Sequence, residues 1–189
     1  MKPITLFSFL LMIFISGNLR AQQDENMKKY TEYMSPGPKQ LMLAKMVGQW
    51  TGAVSITPKD GPANNSTLET SFQMIMGERY LQSDNKGSMW GMPFQGTGTT
   101  GYDNATKKYV STWIDNMGTG IIFLEGEWDE ATKSIKMKGK STDPLTGKDI
   151  PTREDIQLVD NNHMILTMYF TEGLDLKEFK GMEIKYIRK

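Results

Sequence analysis

The sequence predicts an all-β fold, in which about ten strands form an up-and-down antiparallel β-barrel preceded by a short helix. Apolar and polar residues alternate with a period of two in ten short runs, and turn residues separate these runs. No helical pattern intervenes, so consecutive strands pair most simply as a meander. Closure into a barrel would remove the exposed sheet edges, although periodicity alone leaves a two-sheet sandwich open.

The first 21 residues are typical of a secretory signal peptide. Lys2 precedes an apolar stretch from Ile4 to Ile15, and small residues follow up to Ala21. We therefore expect cleavage before Gln22 and a periplasmic or secreted protein with no integral membrane span after processing. A retained membrane helix is the competing interpretation, but the apolar stretch is shorter than the roughly 20 residues that a span needs.

Residues 22–38 form a polar N-terminal segment, which is expected to be a tether with about one helical turn before its Ser-Pro-Gly-Pro end. Residues 39–189 are assigned to the barrel domain. Its first part, residues 39–47, carries apolar side chains at helical spacing and stops at Gly48, which predicts a short amphipathic helix.

Strand periodicity begins directly after Gly48 and continues to the end of the chain. The predicted strands are 49–57, 66–76, 79–85, 95–102, 107–115, 118–128, 133–141, 152–159, 163–171 and 179–188. If the apolar face of each strand points inward, the interior side chains include Trp50, Val54, Phe72, Met74, Met137, Ile156, Leu158, Leu166, Met168 and Ile184.

Three charged residues fall on the inward face by the same alternation. These residues are Asp115, Glu154 and Arg188. A charge on an apolar face is unfavourable unless it is paired or hydrated. They therefore mark the rim of the barrel, an internal ion pair or a ligand site, and parity alone leaves these readings open.

Composition excludes several kinds of chemistry. The chain has 22 basic and 22 acidic side chains, one histidine and no cysteine. Zero formal charge without a prominent Lys or Arg cluster argues against a nucleic-acid partner. The absence of cysteine excludes disulfides, Cys-ligated zinc, iron–sulfur clusters and thiol catalysis, and one histidine leaves little room for a His-rich metal site. No metal site and no cofactor are predicted.

Two patterns invite other functions. The run Gly96-Thr97-Gly98-Thr99-Thr100-Gly101 has the spacing of a dinucleotide-binding loop, but no helix follows it, so we interpret it as a strand whose missing side chains permit close packing. The 15 methionines could suggest copper in an exported protein. Because many fall at positions already predicted to be apolar, core filling or an adaptable pocket is favoured.

The residues also resemble known families. Gly48-Gln49-Trp50 after a short helix, with Arg188 in the final strand, is similar to the signature of lipocalins and their calycin relatives. In those proteins the Trp packs at the closed end of the barrel beneath an Arg of the last strand. The resemblance therefore implies structural roles for Gly48, Trp50 and Arg188.

A more specific resemblance is to the bacterial domain-of-unknown-function 1579 family, over roughly Leu41 to Lys189. It rests on the motifs Pro93-Phe94-Gln95-Gly96, Gly101-Tyr102-Asp103-Asn104, Trp113-Ile114-Asp115-Asn116-Met117-Gly118-Thr119-Gly120, Arg153-Glu154 and Met182-Glu183-Ile184-Lys185-Tyr186. The resemblance implies a calycin-like barrel and supplies no catalytic roles. Gln95 stands where an acidic residue is expected, and Glu78 where a small one is expected.

These observations favour a binding barrel for a small, mainly apolar ligand. A barrel of this strand number can hold a cavity, and such sites combine apolar walls with a few polar groups. The expected wall residues are Phe72, Met74 and Trp113. The expected polar contacts are Arg79, Asp115 and Glu154.

A purely structural or partner-binding role, especially through residues 22–39, stays open at this stage, as do two chemical alternatives. The first is a haem-binding barrel, in which His163 would be the axial ligand. The second is an enzyme that uses Asp115 and Glu154 for acid–base chemistry, for which the sequence does not fix the separation of the two carboxyl groups.

Overall fold

The computed structural model, which describes residues 22–59, 61–172 and 177–189, contains a closed barrel of ten antiparallel strands. Each strand pairs with the next one in the chain, and β10 closes the barrel by pairing with β1. This arrangement confirms the predicted up-and-down barrel and excludes the sandwich. None of the helices in this part of the chain has the length and apolar character that crossing a membrane requires.

The elements agree closely with the ten predicted runs. Residues 22–34 form helix α1. The remaining elements are α2 (Pro38–Ala44), β1 (Gly48–Ile56), β2 (Asn64–Ile75), β3 (Tyr80–Met89), β4 (Met92–Asp103), β5 (Lys108–Asp115), β6 (Ile122–Asp129), β7 (Ser134–Thr142), β8 (Asp149–Leu158), β9 (His163–Glu172) and β10 (Lys177–Arg188).

The polar segment before the barrel is more ordered than expected, because α1 spans residues 22–34 rather than one turn. Ion pairs one helical turn apart join Glu25 to Lys29 and Lys28 to Glu32. Such local pairs favour a helix that has no buried apolar face, so the polar composition that predicted a tether is also compatible with a helix. The expected signal peptide, residues 1–21, lies outside the described residues.

Helix α2 lies at the end of the barrel where β1 begins and β10 ends, which we call the closed end. The Gln40 side chain accepts a hydrogen bond from the backbone N–H of Gly37 at 2.8 Å and donates one to the carbonyl of Tyr102 at 3.0 Å. Leu43 of the helix and Met46, which lies just after it, are almost completely buried. The helix is therefore fixed both by polar contacts to β4 and by its apolar face.

The inward parity predicted from alternation is confirmed. Trp50, Val54, Phe72, Met137, Ile156 and Ile184 are buried, and Met74, Leu158 and Leu166 are partly buried against the same core. Alternation identified this face correctly because the pairing between β1 and β2 and between β7 and β8 has no register shift. Without a shift, side chains keep alternating between the inner and outer faces.

Two hairpin turns at the closed end have the same construction. Asp103 accepts hydrogen bonds from the backbone N–H groups of Ala105 and Thr106, and Asp129 accepts the equivalent pair from Ala131 and Thr132. The recurring Asp-x-Ala-Thr-Lys pattern is therefore a repeated turn.

Candidate functional site

The barrel encloses a cavity of about 380 Å³ with mainly apolar walls. Its described lining includes six methionines, which are Met46, Met89, Met117, Met164, Met168 and Met182. It also includes six aromatic side chains, which are Phe72, Trp90, Phe94, Trp113, Phe170 and Tyr186. Flexible thioether side chains and flat rings give a wall that can adapt to the shape of an apolar molecule.

Small residues on β3, β4 and β5 leave room for the cavity. Ser83, Gly98, Thr100 and Ser111 face the interior on these neighbouring strands. The Thr100 hydroxyl donates to the Ser111 hydroxyl at 3.3 Å, so part of this polar surface is satisfied within the wall. Larger side chains at these positions would fill the space that the methionines of β9 and β10 leave open.

Trp113 lies flat on the glycines of β4. A Cβ atom on Gly96 would overlap the indole, and one on Gly98 would lie 3.1 Å from Cε3. The ring also stacks with Phe94 at a centroid distance of 6.4 Å and an angle of 18°. The glycine-rich run is therefore part of a strand that permits close packing, and the dinucleotide-loop reading is wrong.

Asp115, at the last residue of β5, lines the cavity but is already engaged within its own segment. Its Oδ2 accepts a hydrogen bond from Nε1 of Trp113 at 2.7 Å, and its Oδ1 accepts one from the backbone N–H of Met117 at 2.8 Å. These two bonds orient the indole and the start of the β5–β6 connection. The geometry favours a positioning role for Asp115 over direct ligand contact.

Glu154, which also lines the cavity, is different. No residue in the described part of the chain donates a hydrogen bond to its carboxyl group or forms an ion pair with it. Its cross-strand neighbours are Met137 and Met168, which cannot solvate a charge. Burial, with a further contribution from the charge of Asp155, raises the pKa of Glu154 to about 7.

Tyr186 places a phenol near this carboxyl group. Burial and the charge of Glu154 both raise the pKa of the Tyr186 hydroxyl well above its ordinary value. The ring packs edge-on against Phe72 at 5.9 Å and against Trp50 at 6.5 Å, measured between centroids. These contacts hold the aromatic wall on the closed-end side of Glu154.

Four of the six predicted ligand-binding residues line one cavity, namely Phe72, Trp113, Asp115 and Glu154. Met74 and Arg79 are not brought to it. Met74 packs against the core near the β2–β3 turn, and Arg79 donates hydrogen bonds to the carbonyls of Met76 and Gly77 within that turn. Both residues follow Phe72, the last residue of β2 that lines the cavity. Strand parity shows which face a residue occupies but not how far along the strand the cavity extends.

The two alternative chemistries find little support in the geometry. His163 lies at the β8–β9 turn with its side chain about half exposed, and its Nδ1 is 2.9 Å from Asp160. It is not part of the cavity lining, so it is not placed to ligate a haem there.

Asp115 and Glu154 lie on strands separated by β6 and β7, and no hydrogen bond joins them. Among the described residues, no cluster of three metal-ligating side chains occurs.

Sequence reasoning missed the polar residues of β3. Asn85 is almost fully buried in the cavity wall, and its Oδ1 accepts a hydrogen bond from the Thr70 hydroxyl at 2.7 Å. The inward alternation of Leu81, Ser83 and Asn85 was the available signal. It was overlooked because small polar side chains on an inward face do not stand out in a hydrophobicity pattern.

Comparison with known families gives one match, over residues 35–188, to the model described as "Protein of unknown function (DUF1579)". The chain belongs to this family. The resemblance inferred from the sequence motifs is therefore confirmed over nearly the whole barrel. No curated protein matches the chain.

Two solved structures share the fold at low sequence identity. Rv2717c from M. tuberculosis superposes with a TM-score of 0.61 and 12% identity, over 82% of this chain and 99% of that one. The S-type phycobiliprotein lyase CPES from Guillardia theta superposes with a TM-score of 0.58 and 8% identity, over 85% of this chain and 96% of that one. At these identities the likeness establishes the barrel architecture.

Proposed function

We propose that this DUF1579 protein is an exported barrel that binds a small, mainly apolar molecule. The observation that carries the proposal is the cavity of about 380 Å³ inside a closed barrel, with apolar walls and the carboxyl group of Glu154, which has no partner among the residues that the structure describes. Ligand sites typically occupy roughly 300–1,000 Å³ and combine such walls with a few polar groups. A solved barrel of the same architecture is, by its name, a phycobiliprotein lyase, which accords with this use of the fold.

The binding proposal is tested by filling the cavity from one strand position. Thr100 points inward and lines the cavity, whereas its neighbour Thr99 points to the opposite face of β4 and is not among the lining residues. Thr100→Phe should weaken the binding of an apolar fluorescent dye by at least about tenfold, since the new ring occupies the dye's volume. Thr99→Phe is the matched control and should leave dye affinity unchanged. Equal affinities in the two variants would contradict binding in the barrel.

A second experiment looks for the natural ligand directly. The protein is isolated from its native host under gentle conditions and analysed by native mass spectrometry. A bound mass that disappears in Thr100→Phe is expected. A barrel that is always isolated without a bound mass, and that also ignores a panel of apolar dyes, would contradict the proposal.

The export part of the proposal rests on the pattern of residues 1–21. Intact-mass measurement of the protein from its host should give a chain that begins at Gln22. A chain that still begins at Met1 would remove export from the proposal and leave the binding function unaffected.

A further inference from the structure

The charged groups in the described lining of the cavity all have the same sign. Its described lining contains two carboxyl groups, on Asp115 and Glu154, and no lysine, arginine or histidine. A bound carboxylate would therefore meet no cation in the described wall and would be repelled by Glu154. The negative charge of the described wall is instead complementary to a ligand that carries a positive charge.

The two carboxyl groups are not equivalent. Both oxygens of Asp115 already accept hydrogen bonds, from Trp113 and Met117. Glu154 has no such partner among the described residues and faces the cavity between apolar neighbours. A carboxylate that faces an apolar cavity without a protein partner is costly, because the apolar wall cannot solvate its charge. Its presence in a cavity wall indicates that the ligand supplies the missing partner.

We infer that the cavity selects apolar molecules that carry a basic amine, and that Glu154 pairs with the ammonium group. This inference rests on the proposed binding function and adds the chemical class of the ligand. An ammonium donates up to three hydrogen bonds and cancels the charge that the apolar wall cannot solvate. The apolar remainder of the molecule then occupies the space between the methionines and the aromatic rings.

The surroundings of Glu154 also favour a cation over a neutral donor. Tyr186 lies close enough for the two groups to affect one another electrostatically. An aromatic ring beside a desolvated ammonium attracts it through its negative face. The pKa of about 7 for Glu154 means that the carboxyl group is ionised in mildly alkaline solution, and an adjacent ammonium would lower that pKa further.

The test uses three probes that share one alkyl chain, namely decylamine, decanol and decanoate. Each displaces an apolar dye from the whole protein at about pH 8. Decylamine should bind at least about tenfold more tightly than decanol, because both can donate a hydrogen bond to Glu154 but only the ammonium also cancels the charge of the carboxylate, and decanoate should bind most weakly.

Two matched variants assign the preference to one side chain. Glu154→Gln keeps the shape of the site and should reduce the decylamine advantage to about twofold or less, while decanol still binds. Glu127→Gln changes an exposed glutamate outside the cavity lining and should retain the full advantage. Retained decanol binding in Glu154→Gln also shows that the variant is folded.

The outcomes separate this inference from the function on which it rests. If decanol and decylamine bind equally, or if decanoate binds best, the amine preference is wrong and the apolar-binding function stands. If no probe displaces the dye and the dye itself does not bind, the binding function fails as well. If Glu154→Gln keeps the amine preference, Glu154 is not the group that provides it.

Discussion

The guanidinium carbon of Arg188 lies 4.1 Å from the centroid of the Trp50 ring. The same guanidinium donates hydrogen bonds to the carbonyls of Lys45 at 2.6 Å, of Asn161 at 2.7 Å and of Val47. One side chain of the last strand thus joins the α2–β1 connection, the β8–β9 turn and the buried tryptophan. Trp50 completes the arrangement by donating its Nε1–H to the carbonyl of Met46 at 2.8 Å.

Arg188→Ala should destabilise the barrel by about 2 kcal/mol, because it removes several charge-assisted hydrogen bonds and a cation–π contact. Arg188→Lys should recover little of this stability, since an ammonium group cannot reproduce the planar arrangement of N–H donors in a guanidinium. Urea unfolding gives the free energies. Lys185→Ala, at an exposed position of the same strand, should change stability by less than about 0.5 kcal/mol. Similar losses in Arg188→Ala and Lys185→Ala would contradict a role for Arg188 at the closed end.

Gly48→Ala should also destabilise the closed end, by at least about 1 kcal/mol. Gly48 has φ +137°, and a Cβ atom there would lie 2.7 Å from Nη1 of Arg188. Gly118→Ala is the control, because nothing lies within 4 Å of its Cβ position and its φ is not positive. Thermal unfolding of the two variants measures the difference, and a fully stable Gly48→Ala would show that Arg188 can move aside without loss.

Glu154 should make stability depend on pH between about 4.5 and 7. Its pKa is raised from 4.5 to about 7 on folding, so the folded state holds a proton in this window that the unfolded state has lost. Stability therefore falls as pH rises through the window and levels off above pH 7. At about 1.4 kcal/mol per pH unit, the loss is about 3 kcal/mol.

Glu154→Gln should remove this loss, because an amide does not ionise. Relative to the natural protein, the variant should be about 3 kcal/mol more stable at about pH 8 and nearly equal at about pH 4. Urea unfolding at both pH values checks the difference. Glu127→Gln should show no such pH-dependent gain, and a gain of equal size there would assign the effect to general surface charge.

Asp115→Ala should weaken dye binding by about fivefold, because Trp113 and the Met117 backbone both lose their acceptor. Asp115→Asn keeps one acceptor oxygen and should lose less. If Asp115 instead contacted the ligand through its charge, Asn and Ala would be equally harmful to decylamine and harmless to decanol. Dye displacement with both probes distinguishes positioning from direct contact.

Much of the barrel could be predicted from sequence because strand alternation is a local property. The inward faces of β1, β2 and β8 followed from the positions of Trp50, Phe72 and Ile156 alone, and the structure buries all three. Alternation also placed Trp113 and Glu154 inward. It says only which face a residue occupies, so it could not separate Phe72, which reaches the cavity, from Met74, which stops short of it.

The helix of residues 22–34 shows a different limit. Its polar composition predicted a tether, although Met27, Tyr30 and Met34 lie at helical spacing, and polar pairs one turn apart support the helix. Polar composition by itself therefore does not distinguish a tether from an exposed helix.

The sequence by itself determined the strand count, the inward face and the family, since each depends on the order of neighbouring residues. Only the tertiary structure decided that Asp115 is satisfied and Glu154 is not, and that small side chains on three strands leave an apolar space beside them. Hydrogen-bond partners and cavity volume depend on where strands far apart in the chain meet, and a one-dimensional pattern does not contain those distances.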